Sequence, residues 1–401
     1  MRLLADAIAV EQEVSSRLDR RVDAVAGSCF WHSLVALDAR NRPLTPLLTW
    51  RDVRSAPYAQ ALAEQVDSRA VWRRTGAPLH ASFWPAKLAW LAAEHPDAFR
   101  AAQRFVGLGD WLLLEETGEL RTSLSMASGT GLWTDAGWDA ELLDTLGLEP
   151  ERLPPVSDDP VGRWYPALGD GACSNLGSGC TTDERAALNV GTSAAVRIVT
   201  ESSAPPPPGL FRYRVDGRRA IVGGSLSTGG NLHDWLEETL RLPEARDLAS
   251  RPPAGHGLTF VPLLAGERAP GWDAARRGAV AGLRFETTPL DLLQAGLEGV
   301  ALELRRVTDL LPPVAEIVVS GAALAENDAW LQIVADVLER PLAVSAEPEA
   351  SARGAAVAVL ERLGHEPPAP SVSRNVEPRE DRAEAYRSAM ERHLRLMQGV
   401  T

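Results

Sequence analysis

The residues with the clearest chemical potential lie in one stretch, GDGACSNLGSGCTTDERAALNVGTSAAVRIV, which begins at Gly169. Asp170 is a single carboxylate in a glycine-rich setting, and 191–193 is a small-residue turn between two apolar segments, 187–190 and 194–199. Such a hairpin turn presents backbone N–H groups to a phosphate. A nearby carboxylate can accept the proton of a hydroxyl that attacks this phosphate. The alternative interpretation is an ordinary β-hairpin after a surface loop.

Two further glycine-containing segments could also bind a nucleotide or its phosphates. Gly321 follows the apolar segment EIVVS, and glycine at the end of a buried strand lets a nucleotide approach the backbone. Gly229, Gly230 and Asn231 precede a predicted helix, whose N-terminus favours anions. A plain strand-terminal turn and a plain helix entry are the alternatives. Gly354 lies in a small-residue helix and is predicted to permit close helix packing rather than ligand binding.

Aromatic and imidazole side chains form a second group. Trp31 and His32 lie at a predicted strand–turn–strand junction, where a ring face and an imidazole suit a polyhydroxylated ligand. Four more residues are candidates to join them: Trp50, His80, Trp84 and Asp110. Each of these side chains also fits an ordinary role in the core. The seven histidines show no pair at metal-ligand spacing, and no Gly-x-Ser-x-Gly elbow supports a hydrolase.

Composition narrows the class of protein. The 401 residues suffice for two domains, and 45% apolar with 24% charged residues is typical of a soluble globular chain. A net charge of −13 argues against nucleic acid or an anionic membrane as partner. Three cysteines indicate reduced thiols, and no signal peptide or membrane-spanning run is visible, so we expect a cytoplasmic protein. The only lysine is Lys87, which excludes a Walker-type phosphate loop.

Alternating helices and short strands along the first half predict an α/β domain. Helices are expected at 1–20, 84–93 and 110–114, and strands are expected at 22–26, 33–37 and 47–50. The domain boundary is placed near Cys180, giving domains 1–180 and 181–401.

The second half restarts with strands. A hairpin is expected over Asp216-Gly217. Further predicted elements are a helix from Gly230, strands at 258–262, 316–320 and 342–344, and helices at 289–311, 330–338, 350–362 and 380–397.

Several segments together resemble the FGGY family of carbohydrate kinases, and most of all its gluconokinase-type members. They follow the family's order over almost the whole chain: CFWHSLVALDARNRPLTPLLTWRDVRSA, GAPLHASFWPAKLAWL, TSLSMASGTGLW, LGDGACSNLGSGC, NVGTSAAVRI, GGSLSTGGNLHDWL, FVPLLAGERAPGWDAARRGAVAGL, VVSGAALAENDAWLQIVADVLERPL and EASARGAAVAVL. An ordered set of this kind is far more specific than any single glycine motif.

The resemblance implies two actin-like domains of the ribonuclease H type around a cleft, with ATP and Mg²⁺ as cofactors and a sugar or sugar acid as substrate. Gluconate is the first candidate substrate, and a xylulose-like ketose or a polyol comes next. Asp170 matches the family's catalytic base and is the predicted magnesium ligand. The sugar-side residues are Trp31, His32, Trp50, His80 and Asp110. The nucleotide-side residues are Gly191, Thr192, Ser193, Gly230, Asn231, Gly321 and Ala322. A homodimer is left open.

Two departures from the family pattern stand out. No segment matches the Asp-x-Gly-Thr hairpin with which the family's chains open, so the first domain is expected to lack those strands and half of the phosphate clamp. Ala322 replaces the usual second glycine. Either the start of the sequence is placed too far downstream, or the chain is a truncated relative. A truncated relative that binds a sugar or a partner protein without turnover is therefore the alternative hypothesis. An unrelated actin-like ATPase is a third, which the pair Trp31-His32 disfavours.

Overall fold

The computed structural model describes residues 2–18, 22–243, 248 and 250–399. The helices, numbered in chain order, are α1 (Arg2–Arg17), α2 (Ala56–Ala63), α3 (Ser68–Thr75), α4 (Trp84–Glu94), α5 (Pro96–Ala101), α6 (Leu108–Thr117), α7 (Leu124–Ser128), α8 (Ala140–Leu146), α9 (Asp170–Gly177), α10 (Gly230–Thr239), α11 (Pro289–Thr308), α12 (Ala322–Ala325), α13 (Asp328–Leu338), α14 (Ala350–Arg362) and α15 (Ala383–Gln398). None of these helices combines the length and the apolar character that crossing a membrane would need.

The strands alternate with these helices. They are β1 (Ser28–Cys29), β2 (Val35–Leu37), β3 (Arg104–Val106), β4 (Trp133–Thr134), β5 (Gly137–Trp138), β6 (Leu168–Gly169), β7 (Arg185–Val190), β8 (Ala194–Thr200), β9 (Phe211–Arg214), β10 (Ala220–Leu226), β11 (Thr259–Val261), β12 (Ala279–Ala281), β13 (Glu316–Ser320), β14 (Leu342–Ser345) and β15 (Val372–Val376).

A seven-stranded mixed sheet forms the centre of the second half, in the order β15-β14-β13-β7-β8-β10-β9. β13 runs parallel to both β7 and β14, while the pairs β7–β8, β8–β10 and β10–β9 are antiparallel. The main apolar core lies between this sheet and the helices α11 and α13. Thr288 caps α11, because its Oγ1 accepts from the Asp291 N–H while the Asp291 carboxylate accepts from the Thr288 N–H at 2.8 Å.

The first half has only short strand pairs among its described residues. β1 pairs with β6 in parallel, and β2 pairs with β3 in antiparallel register. The expected strand at 22–26 is wrong, since only Val25 forms a bridge, to Trp164. Prolines on both sides of that partner segment, Pro160 and Pro166, prevent a longer ladder.

The expected strand at 47–50 is wrong as well. Only Leu48 bridges, to Leu34, and the Trp50 carbonyl accepts instead from the Ser82 hydroxyl at 3.1 Å. The other predicted elements that fall within the described residues are present, with end shifts of a few residues.

Helix α9, which begins at Asp170, is held by close packing against α14. A Cβ on Gly177 would lie 1.8 Å from the Ala350 carbonyl oxygen, and a Cβ on Gly354 would lie 1.8 Å from the Cys173 carbonyl oxygen. The two backbones therefore touch where they cross, which confirms the predicted packing role of Gly354. Because α14 belongs to the second half of the chain, this contact ties Asp170 to both halves.

The α9–α14 contact predicts a large stability loss for Gly354→Val. A side chain there must force the two helices apart, so we expect the free energy of unfolding to fall by about 2 kcal/mol or more. Ala356→Val on the exposed face of α14 is the matched control and should cost under about 1 kcal/mol. Urea unfolding measures both, and equal losses would contradict the close contact.

Candidate active site

Asp170 stands at the junction of β6 and α9 with its side chain open to solvent. The backbone N–H of Gly171 donates to its Oδ1 at 2.9 Å, and the N–H of Trp31 is a second donor. Protein atoms around the carboxylate desolvate it and raise its pKa, while the Arg197 guanidinium acts in the opposite direction. Water reaches this carboxylate, yet the walls of the cleft make it more basic than a free aspartate.

The indole of Trp31 packs on the backbone that carries Asp170. Its Nε1 donates to the Ser125 carbonyl at 2.9 Å, which fixes the plane of the ring. A Cβ on Gly169 would lie 1.8 Å from this ring, and a Cβ on Gly171 would lie 2.6 Å from it. Glycine on each side of Asp170 is therefore a packing requirement of the indole, in addition to any role in a turn.

Trp31 belongs to a row of aromatic and imidazole rings, the aromatic wall, which draws on both halves of the chain. The ring of Trp31 meets that of Tyr213 at 5.0 Å, and the ring of His32 meets that of Phe83 at 4.7 Å. Farther along, His80 and Trp272 are 5.5 Å apart. Tyr213 and Trp272 come from the second half, so the wall exists only when the two halves are together.

Both histidines of this wall are neutral. His32 is buried, and its Nδ1 lies 2.5 Å from the Gly129 carbonyl, so Nδ1 carries the proton. His80 accepts from the Ser82 N–H at Nδ1, which places its proton on Nε2. Burial, reinforced by Arg268, holds the pKa of His32 well below its usual range and lowers that of His80 to about 3.

Three cations that the sequence argument did not include lie beside this wall: Lys87, Arg197 and Arg268. Lys87 is 1% exposed and donates to the His32 carbonyl at 2.5 Å, while burial lowers its pKa to about 7. Arg268 lies 5.2 Å from the Trp50 ring. The signal in the sequence was weak, because an arginine is a surface residue by default and only the uniqueness of Lys87 was visible.

Asp110 lies behind the wall and does not open to the cleft. Its Oδ2 accepts from the Gly107 N–H at 2.8 Å, a cap for α6, and it also bonds the Thr122 side chain. Burial raises its pKa to about 6. With His32 it lines a cavity of only about 10 Å³, too small for a sugar. Trp84 is likewise buried and donates to the Ser33 carbonyl.

The three glycine features of the nucleotide side meet at one end of the sheet. The Gly230 N–H donates to the Gly191 carbonyl at 2.7 Å, and the Asn231 N–H donates to the Thr192 carbonyl at 3.2 Å. Gly321 adopts a φ of +93°, and a Cβ there would lie 2.5 Å from the Val190 carbonyl oxygen.

The turn 191–193 at this end of the sheet has backbone N–H groups that could donate to a ligand. Among the described residues, the N–H groups of Thr192 and Ser193 have no hydrogen-bond acceptor. The turn 191–193 joins β7 to β8, and α9 packs against both of these strands. Ala322 opens α12 with its methyl group exposed, so it does not crowd this place. Asp170 and two unused backbone donors thus belong to one packed unit.

No group of three or more histidine, cysteine or acidic side chains that would hold a metal ion is found in the described part of the chain. Asp170 has arginines as its charged neighbours rather than a second carboxylate. A Mg²⁺ ion with ATP keeps several waters and needs only one or two protein carboxylates. The site therefore fits a magnesium ion that arrives on ATP, and it offers no separate metal cage.

Two packed α/β halves, with Asp170 and the turn 191–193 at their cleft, are the architecture of an actin-like phosphotransferase. Comparison with family models agrees over most of the chain. Residues 1–161 match the FGGY family of carbohydrate kinases, N-terminal domain, and residues 186–360 match the C-terminal domain of the same family. The chain belongs to the FGGY family of carbohydrate kinases, which use ATP to phosphorylate small sugar substrates.

Individual relatives support the same assignment. Gluconokinase of Bacillus subtilis (strain 168) is 29% identical over 93% of this chain and 82% of its own length. Xylulose kinase of Streptomyces rubiginosus is 33% identical over 84% of this chain and 74% of its own. The structure of gluconate kinase from Lactobacillus acidophilus superposes with a TM-score of 0.87 at 26% identity, covering 96% of this chain and 86% of that one.

The packing of Trp31 predicts that Gly169→Ala destabilises the protein. Gly169 has a φ of −64° and a ψ of 139°, which alanine accepts, so the penalty comes from the indole alone. We expect a loss of about 1–3 kcal/mol in urea unfolding. Gly27→Ala, whose Cβ would meet only the Ala167 Cβ at 3.6 Å, should be nearly silent.

A double-mutant cycle isolates the contact. In a Trp31→Ala background, the indole is gone and Gly169→Ala should cost almost nothing. A penalty that persists in this background would show that the glycine is needed for another reason.

Proposed function

We propose that this carbohydrate kinase transfers the γ-phosphoryl group of ATP to a hydroxyl of a sugar or sugar acid, with gluconate as the first candidate. The observation that carries the proposal is the placement of Asp170. It opens to the cleft beside the aromatic wall, on a helix that packs on the two strands joined by the turn 191–193. A gluconokinase that is 29% identical over 93% of this chain supports gluconate as the first substrate, and a xylulose kinase that is 33% identical over 84% of it supports a ketose as the next.

Asp170 acts as the general base in this proposal. As the acceptor oxygen bonds to the γ-phosphorus and the bond to ADP breaks, the hydroxyl proton passes to the Asp170 carboxylate. The raised pKa of this carboxyl strengthens it as a base, and the opposing field of Arg197 helps to keep it ionised. The donors from Trp31 and Gly171 orient it, so the protein's contribution is mainly position and charge.

The nucleotide side consists of small residues whose backbones are close together. We assign the ATP phosphates to Gly191, Thr192 and Ser193, because two of the three N–H groups there have no acceptor among the described residues. We assign the rest of the nucleotide to the neighbouring group Gly230, Asn231, Gly321 and Ala322. A side chain at Gly230 would collide with the Ala323 methyl at 2.8 Å, so this group stays open only with glycine there.

The sugar side is the aromatic wall. His32 uses Nδ1 for the Gly129 carbonyl and, being neutral, has Nε2 left as an acceptor for a sugar hydroxyl. Trp50 and His80 line the far end beside Arg268. Trp31 is 5% exposed, so we assign it the positioning of Asp170 rather than broad contact with the sugar.

Asp110 is left out of the proposed substrate contacts because its carboxylate caps a helix. The proposed domain division remains 1–180 and 181–401. Magnesium would bind the ATP phosphates with Asp170 as its protein ligand, and it would neutralise charge during the transfer.

Asp170→Asn should abolish most phosphoryl transfer. Loss of a positioned base costs about 100-fold or more in kcat. The fold should persist, since asparagine accepts the same two N–H donors. ADP release with Mg-ATP and gluconate measures the effect, and unchanged turnover would contradict the assignment.

Asp110→Asn is the matched control for this experiment. It replaces a carboxylate of the same domain that also accepts from a backbone N–H, but one turned away from the cleft. We expect it to retain turnover within about a factor of three once the folded fraction is taken into account. If Asp110→Asn loses as much activity as Asp170→Asn, the separation of the two roles fails.

A further inference from the structure

We propose that Arg268 and Arg197 form an anion subsite in the cleft, and that this subsite selects an acceptor that carries a carboxylate. The inference rests on the proposed kinase function, because it concerns the acceptor of that reaction. It names the chemical class, a sugar acid rather than a neutral ketose or polyol, together with the residues that recognise it.

Arg268 is buried and unpaired. It is 7% exposed, and no hydrogen bond or ion pair joins its guanidinium to another described residue. Its Cζ lies 5.2 Å from the Trp50 ring and 6.0 Å from the Trp272 ring, so cation–π contacts hold it against the aromatic wall. Burying such a charge without a partner is costly unless a ligand supplies one.

Arg197 lies near Arg268, and its guanidinium also lacks hydrogen-bond partners. Its Nε and Nη1 are shut off from water with no acceptor among the described residues. A Cβ on Gly171 would lie 2.9 Å from its Nε, which places the guanidinium beside Asp170 without an ion pair between them. The hydroxyl of Tyr213 is buried and also has no hydrogen-bond partner among the described residues. The unused groups are thus donors.

Two arginines at another contact between the two halves have carboxylate partners. Around a separate cavity of about 470 Å³, Arg219 bonds Glu361 at 2.7 Å, and Arg362 bonds Asp158 at 2.8 Å. At that contact the fold supplies a carboxylate to each of these two arginines. It leaves Arg197 and Arg268 unsatisfied at the cleft.

The charge balance at the wall favours an anion. The positive charges near these rings belong to Arg197, Arg268 and Lys87. Both histidines are neutral, and the negative charge is that of Asp170. Asp52, near Lys87, is already paired with Arg54. A neutral polyol brings a donor with every hydroxyl and no charge, whereas a carboxylate brings acceptors only and the missing negative charge.

The loop that carries Arg268 is fixed before any ligand binds. Glu267 accepts from Arg306 at 3.1 Å, pairs with Arg276 at 3.0 Å, and accepts from the Gly271 N–H at 3.2 Å. The one carboxylate adjacent to Arg268 in sequence is therefore engaged elsewhere. Because the loop is held, little conformational entropy is lost when Arg268 binds its ligand.

A carboxylate of the acceptor and the γ-phosphate of ATP are both anions. The position of Arg268 favours the acceptor, because it lies on the aromatic wall between Trp50 and Trp272. The turn 191–193 has its own free N–H donors for the phosphates. The experiment separates the two sources by measuring the KM for each substrate.

Gluconate and D-glucitol form a matched pair of acceptors, since they differ only in a carboxylate against a hydroxymethyl group. We expect the wild-type chain to prefer gluconate. In Arg268→Gln, kcat/KM for gluconate should fall about 100-fold while that for glucitol changes less than about threefold. Arg197→Gln should lower the gluconate-to-glucitol ratio in the same direction. Arg69→Gln, on the exposed face of α3, is the control and should leave both acceptors unchanged.

Three results would overturn the subsite: an equal loss for both acceptors, a rise confined to the KM for ATP, or a wild-type preference for the neutral acceptor. Gluconate binding without nucleotide, followed by calorimetry, separates this inference from the kinase function. If no acceptor is phosphorylated, the kinase proposal fails. Binding that disappears in Arg268→Gln would then still support the subsite, and absence of binding to the wild-type chain would overturn it.

Discussion

Close contact at glycine, where no side chain separates the backbone from its neighbour, is the constraint on which the rest of this structure depends. The indole of Trp31 rests on Gly169 and Gly171, and the helix that follows crosses α14 with its backbone in contact at Gly177 and Gly354. Asp170 lies between these contacts. The contact with Trp31 fixes its position relative to the aromatic wall, and the contact between α9 and α14 fixes it relative to the second half of the chain. A catalytic base must be positioned to within a fraction of an ångström. Backbones that touch with no side chain between them leave little room for movement.

Charge follows the same geometry. The wall buries Lys87 and Arg268 beside neutral histidines, with the half-buried Arg197 close by, and Asp170 is the basic group that opens to the cleft. Desolvation raises the pKa of Asp170 above its ordinary value, and the arginines oppose that rise. The same unpaired arginines attract an anionic acceptor, which links substrate choice to the tuning of the base.

Sequence reasoning located the parts whose signal is local. The hairpin at 191–193, the Thr288 cap, the helix 350–362 and the glycine at 354 all depend on neighbours in the chain, and all are present. The strands expected at 22–26 and 47–50 failed, because an apolar run becomes a strand only if a long enough partner exists. Arg197, Arg268 and Tyr213 were missed for a related reason. Their burial and their lack of partners arise from tertiary contacts over long separations, which no spacing pattern records.

The most direct test of the account is to identify the product formed from gluconate and Mg-ATP by ³¹P NMR alongside ADP release. The account predicts a phosphate monoester of gluconate that accumulates in step with ADP. Release of ADP with inorganic phosphate and no ester would contradict it, because the cleft would then activate water rather than a bound sugar hydroxyl.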